Sequence, residues 1–193
     1  MPPFDAQANS TYFVVAHFHY VMGGGALFAF FAAVYYWFPK ITGKKLSESW
    51  GKASFWPFFI GFNIIFMPQH FAGLMGMPRR TQTFDAGIGL EIWNLISTAG
   101  TFVMGAGMVM IVLGVVWAFR NGEPAGNDPW DARTLEWSTS SPPPHHNFDD
   151  QPVALDRDAW WARKYPEVAH ADDPSLYEDR DYDVGGIHMP GQA

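Results

Sequence analysis

The sequence predicts an all-α integral membrane fold: three transmembrane helices followed by a polar, largely irregular C-terminal tail. Three observations predict it. Residues 12–38, 53–78 and 92–119 form long runs with no charged side chain. Basic residues gather at the ends of these runs. The charge balance then reverses: residues 1–120 hold seven Lys/Arg and four Asp/Glu, a net of +3, whereas residues 121–193 hold five and fifteen, a net of −10. The mean hydropathy of −0.06 thus averages two segments that obey different rules.

Residues 1–10 read as a lead-in, because Pro2-Pro3-Phe4-Asp5 lacks the basic start and apolar stretch of a cleavable signal. The first span is placed at 11–39; the 27 uncharged residues from 12 to 38 give about 40 Å of helix at ~1.5 Å per residue, enough to cross a bilayer with some tilt. A loop at 40–52 carries Lys40, Lys44, Lys45 and Lys52. The second span, 53–76, is rich in Phe, Ile and Met, and the third, 92–120, runs through Gly, Ala and Val. Both exceed the usual length of a buried soluble helix. In lipid, Gly23-Gly24-Gly25 and Gly105-Ala106-Gly107 allow close helix approach, which implies packing against further transmembrane helices. The tail, 121–193, is rich in Pro, Asp and Gly and has no sustained apolar period.

Basic residues mark the cytoplasmic side of a membrane protein. By this rule the loop 40–52, Arg120 and the tail are cytoplasmic, while the lead-in 1–10 and the loop 77–91 are periplasmic. Arg79-Arg80 in the outer loop runs against the trend. Trp37, Trp50, Trp56, Trp93 and Trp117 lie near span ends, where interfacial aromatics belong. The lipid bilayer is thus one expected partner, and the acidic tail excludes nucleic acid, whose recognition needs a basic face. With no cysteine, a metal must be held by His, Met or oxygen.

His17 and His19 carry the chemical signal. A histidine within a lipid-spanning helix is costly and points to function. Two helical steps rotate the chain by about 200°, so these side chains leave from opposite faces and cannot chelate one metal. They can serve two centres, one on either side, and imidazole is a common axial ligand of haem. Ala16, Phe18 and Tyr20 leave room for two macrocycles, with Phe18 between their edges.

The stretch Thr11-Tyr12-Phe13-Val14-Val15-Ala16-His17-Phe18-His19-Tyr20-Val21 resembles the signature in the tenth helix of subunit I of haem-copper cytochrome c oxidases. The resemblance continues through Tyr36-Trp37-Phe38-Pro39-Lys40-Ile41-Thr42-Gly43, Phe66-Met67-Pro68-Gln69-His70-Phe71, Gly76-Met77-Pro78-Arg79-Arg80 and Trp93-Asn94-Leu95-Ile96-Ser97-Thr98. It also takes in Asn127-Asp128-Pro129-Trp130-Asp131 and the tail as far as Pro144, running in all from residue 9 to 147. It implies that the chain forms the last three helices of a twelve-helix subunit of the bacterial aa3/caa3 type. His17 is then the proximal ligand of the high-spin haem a3, where oxygen is reduced, and His19 an axial ligand of the low-spin haem a. Arg79 and Arg80 match the pair that holds the haem propionates, as suits bidentate partners of carboxylates.

The implied activity is four-electron reduction of oxygen to water with proton pumping, in a multi-pass protein of the bacterial inner membrane. Copper (CuB) and its ligands belong to the remaining helices of subunit I, supplied by a separate chain or missing from a truncated one. Oxidase subunits II and III and the electron donor cytochrome c are the other implied partners. A quinol oxidase of the same superfamily and a non-catalytic membrane or assembly protein are the alternatives. The family usually carries His-Asp before the Thr-Tyr-Phe stretch, a pair associated with magnesium; Asn9-Ser10 stands there instead, so that site is not carried over. Among the remaining candidates, His70 is expected to have a hydrogen-bonded structural role and His145 and His146 to lie on a solvated surface. The nine methionines fill apolar gaps. Asp85 and Glu91 are expected to solvate the outer loop.

Overall fold

The computed structural model describes residues 2–148, 152 and 158–165. Among these residues helices dominate, and the only β contacts are two isolated bridges. The chain divides into two units, Met1–Tyr36 with Leu46–Asn121, and Trp37–Lys45 with Gly122–Ala193.

In the first unit a short helix, α1 (Pro2–Ala8), precedes Thr11, which caps α2 (Tyr12–Phe18). The Thr11 hydroxyl accepts from the Phe13 amide at 3.2 Å and donates to the Ala8 carbonyl at 2.6 Å, satisfying one of the amides a helix start leaves unpaired. From His19 to Leu27 the helix widens to a π-type turn before α3 (Phe28–Thr42) resumes the α geometry. Gly23-Gly24-Gly25 falls inside the widened segment, and only Gly23 has a close neighbour: a Cβ there would lie 3.0 Å from the Phe62 ring.

Helix α4 (Glu48–Leu74) is capped by Ser47, whose hydroxyl accepts from the Trp50 amide at 3.4 Å. The helix thus starts earlier than the charge-free run that begins at residue 53 indicates, and only residues 43–47 separate α3 from α4. The reason is that lysine and glutamate are good helix formers: an exposed Glu48–Lys52 ion pair, 2.6 Å, sits on the first turn. Helix α5 (Glu91–Asn121) packs along α4. Gly61 faces the Met104 backbone, Gly107 faces Phe58, and a Cβ on Gly100 would lie 2.8 Å from the Ile65 nitrogen. At these positions the missing side chain is what permits the contact. Ser97 closes the seam by donating to the Ile65 carbonyl at 2.8 Å. Two segments, Tyr12–Thr42 and Glu91–Asn121, are long and apolar enough to cross a membrane. Helix α4 has the length, but Pro57, Asn63, Pro68, Gln69 and His70 lower its apolarity.

In the second unit the described tail residues have little regular secondary structure, as expected, yet side-chain contacts order them. Lys40 is 6% exposed, and its ammonium donates to the carbonyls of Thr139 (2.7 Å) and Asn127 (3.0 Å) above the ring of fully buried Trp137. Gly43 accepts from the Ala125 amide and Lys45 donates to the Glu123 carbonyl, which sets Lys44 against Pro124 in an antiparallel bridge. A 3₁₀ turn (Leu135–Ser138) and a short helix, α6 (Ala159–Lys164), follow. The Lys164 ammonium reaches Asp128 at 2.8 Å and Asp131 at 2.7 Å. Polar composition hid this order because burying one ammonium and two tryptophans, Trp137 and Trp160, needs no apolar period.

Candidate functional site

His17 lies in the last turn of α2 and His19 opens the widened segment, so the two imidazoles straddle the change in helix type. Such segments are common at functional sites. Uniform helical rotation did not anticipate it, because the residues that switch hydrogen-bond register are chosen by tertiary packing. The His17 side chain is exposed and makes no hydrogen bond within the described residues. His19 is half-buried: its ring stacks on Phe66 of α4 (centroids 4.2 Å, 15°) and on Phe18 (4.4 Å, 30°). Its Nδ1 donates to the Val15 carbonyl at 2.7 Å, since a carbonyl can only accept. That bond fixes the tautomer and leaves Nε2 with a lone pair, the usual arrangement of a metal-ligating histidine. An exposed imidazole and a tautomer-locked one on one helix fit axial ligation.

Neighbouring groups hold the helix in place. The Tyr20 hydroxyl donates to Asn63 Oδ1 at 2.8 Å, and its ring meets Phe62 edge-on. Gly73 of α4 lets the Phe13 backbone approach so closely that a Cβ would overlap it. His70 was expected to act through hydrogen bonds. Instead its Nδ1 is buried with no partner among the described residues, and its ring packs edge-on against Phe13 at 4.9 Å and beside Tyr20 at 5.5 Å. Its contribution here is aromatic packing.

Arg79 and Arg80 lie 60 residues away in sequence yet at the same end of α2. Tyr12 donates its amide to the Met77 carbonyl at 2.9 Å, Arg79 donates to the Ser10 carbonyl at 2.9 Å, and Thr11 pairs with Pro78. His17 is five residues, or about 7.5 Å of helical rise, beyond Tyr12. Both arginines are exposed, and neither has a carboxylate partner among the described residues; Arg80 adopts the left-handed conformation, φ 65°. The signal that could have revealed the pairing is the pair of turn-forming stretches, Asn9-Ser10 and Gly76-Met77-Pro78. At the start of α5 Glu91 turns back on the preceding loop, accepting from the Gly87 and Gly89 amides. His145 and His146 are exposed.

A family model described as Cytochrome C and Quinol oxidase polypeptide I matches residues 1–103. Cytochrome c oxidase subunit 1 of Bacillus subtilis (strain 168) is 53% identical over 161 residues, 83% of this chain and 26% of that protein. Cytochrome c oxidase subunit 1 of Bacillus sp. (strain PS3) is 44% identical over 98% of this chain and 30% of its own length. Quinol oxidase subunit 1 of Bacillus subtilis (strain 168) is 42% identical over 98% of this chain and 28% of its own length. The chain therefore spans under a third of the curated relatives it matches. Similarity also passes residue 147, where the resemblance was expected to stop. The family match over residues 1–103 and the identity to these subunits agree: the chain belongs to the cytochrome c and quinol oxidase polypeptide I family.

Proposed function

We propose that this chain supplies one axial imidazole to each of two haems in the catalytic subunit of a respiratory cytochrome c oxidase. His17 serves the high-spin haem a3 and His19 the low-spin haem a. The observation that carries this reading is the bond from His19 Nδ1 to the Val15 carbonyl, which reserves Nε2 for a ligand while His17 stays exposed. When bound, haem supplies the reversible iron couple for electron transfer and oxygen reduction. The protein's own part is to hold and insulate. Tyr20 and Gly73 fix the helix against α4, Phe18 separates the two imidazoles in sequence, and Arg79 and Arg80 offer guanidinium groups to the haem carboxylates.

In this reading the chain is the last three transmembrane segments of subunit I, with α4 as the middle one. Residues 1–10 and 77–91 face the periplasm; the loop after α3 and the tail face the cytoplasm of a bacterial inner membrane. Copper and its ligands, the second ligand of the low-spin haem, subunits II and III and cytochrome c lie outside these 193 residues. Electron donation by quinol is the second reading, favoured by the 42% identity to a quinol oxidase subunit 1 across nearly the whole chain. The donor accepted by the purified complex decides between them.

The test is the reduced-minus-oxidised optical spectrum of membranes carrying the assembled oxidase with His17→Ala or His19→Ala. We expect His19→Ala to remove the low-spin band and His17→Ala the ligand-sensitive high-spin band. Two unchanged spectra would refute both assignments.

A further inference from the structure

Two ammonium groups organise the second unit, and each is caged by three oxygens. Lys40, in the last turn of α3, donates to the carbonyls of Asn127 (3.0 Å), Thr139 (2.7 Å) and Ser140 (3.4 Å). Lys164, the last residue of α6, donates to Asp128 Oδ2 (2.8 Å), Asp131 Oδ1 (2.7 Å) and the Ala132 carbonyl (2.7 Å). Lys40 is 6% exposed and the Lys164 side chain 9%. The cages meet in sequence, because Asn127 serves one and Asp128, the next residue, serves the other. They also meet in packing: α6 lies against the 3₁₀ turn Leu135–Ser138, whose Trp137 sets its ring 5.2 Å from the Lys40 ammonium. Asp128 is held on both sides, since Oδ1 accepts from the Ala132 amide at 2.9 Å and Oδ2 from the Trp160 indole at 3.4 Å. It cannot follow one partner without disturbing the rest.

A helix of six residues is too short to persist by itself, so α6 is helical only while it is docked. A buried ammonium that loses an acceptor is costly, so a cage missing one member is driven to open. We infer that α6 is a strap that locks the tail onto the end of α3. Docking of Lys164 fixes Asp128, which holds the adjoining Asn127 carbonyl on Lys40, and the two cages form and open together. The inference rests on the second unit alone and does not depend on the haem assignments.

The test is backbone hydrogen–deuterium exchange of the full chain in the assembled oxidase. The amides of Ala125 and Lys45, which donate to the Gly43 and Glu123 carbonyls at 2.9 and 2.8 Å, report attachment of the tail without belonging to either cage. Lys164→Met keeps the aliphatic stem and removes the charge; it should speed exchange at both amides about tenfold, as the loss of a charged hydrogen bond does. Arg163→Gln removes the same charge one residue earlier, from a side chain that joins neither cage, and should leave both amides unchanged. Coupling is reciprocal, so Lys40→Met should release α6 and speed exchange of the Ala162 amide, which donates to the Asp158 carbonyl at 2.9 Å, by a similar factor. Ala125 and Lys45 amides indifferent to Lys164→Met, or equally sensitive to Arg163→Gln, would overturn the inference. So would an α6 that stays protected in Lys40→Met.

Discussion

Glycine lines both the α4–α5 seam and the first long helix, with opposite results. At Gly61, Gly100 and Gly107 the hydrogen side chain brings one backbone against another; at Gly24 and Gly25 little or nothing lies within reach. The seam is thus closed within this chain. The helix of His17 and His19 is anchored at Phe13 and Tyr20, while His17, Phe18, Val21 and Met22 stay exposed. A closed seam needs only its own sequence to form. An open face needs a macrocycle, a lipid or further helices to cover it, since contiguous apolar surface of this kind marks an interaction site.

The contrast is broken most severely at the seam. Gly100→Leu drives a branched side chain into Ile64 and the Ile65 backbone, and should cost about 3 kcal/mol or more of helix-pair stability, as overpacking does at its upper end. Gly105→Leu, a few residues along the same helix, meets open space and should change stability by no more than about 0.5 kcal/mol. Denaturant titration of both variants in detergent, followed by tryptophan fluorescence, measures the difference. Equal losses would show that composition, and not contact, makes these glycines necessary.

A smaller effect sharpens the picture of the open helix. Tyr20→Phe removes the bond to Asn63 but keeps the ring against Phe62, and should cost about 0.6 kcal/mol, the mean for polar contacts between membrane helices. The same titration checks it. A loss of several kcal/mol would mean that the hydroxyl, and not Gly73, fixes the helix.

The smallest effect lies in the tail. Hydrogen bonds from Lys164 and then from Tyr165 hold the Asp131 carboxyl below the usual aspartate range. A carboxyl whose folded pKa is depressed adds stability above its unfolded pKa and loses it as pH falls through the folded value. Attachment of α6 should therefore weaken in acid below the ordinary aspartate range, read as a change in emission from Trp160 and Trp161. Asp131→Asn should weaken attachment at neutral pH and flatten this acid response.

Much of this was legible in the sequence because lipid imposes a simple rule. A spanning helix must exclude charge, so the runs at 12–38 and 92–119 announce themselves. Gly107 was legible for the same reason, since small residues signal close approach. The start of α4 was not, because a cap at Ser47 and charged first-turn residues lie outside any apolar pattern. The histidine pair stood out by cost and spacing. The widened turn between His19 and Leu27, the Phe66 stack on His19 and the orphaned nitrogen of His70 depend on neighbours dozens of residues away. Lys40 looked like a loop cation until the carbonyls of residues 127 and 139 closed around it.

The antiparallel contact of residues 10–12 with 77–79 has a practical consequence. Because Arg79 is tied to Ser10 through the backbone, its placement relative to α2 does not depend on the length of the loop that follows. Insertions between residues 82 and 86 can alter the loop surface while Arg79 keeps its register with the start of α2. Replacing Arg79 with proline removes the tethering amide as well as the side-chain charge. Evolution and engineering therefore have separate handles here, one on the shape of the loop and one on the charge held at the start of α2.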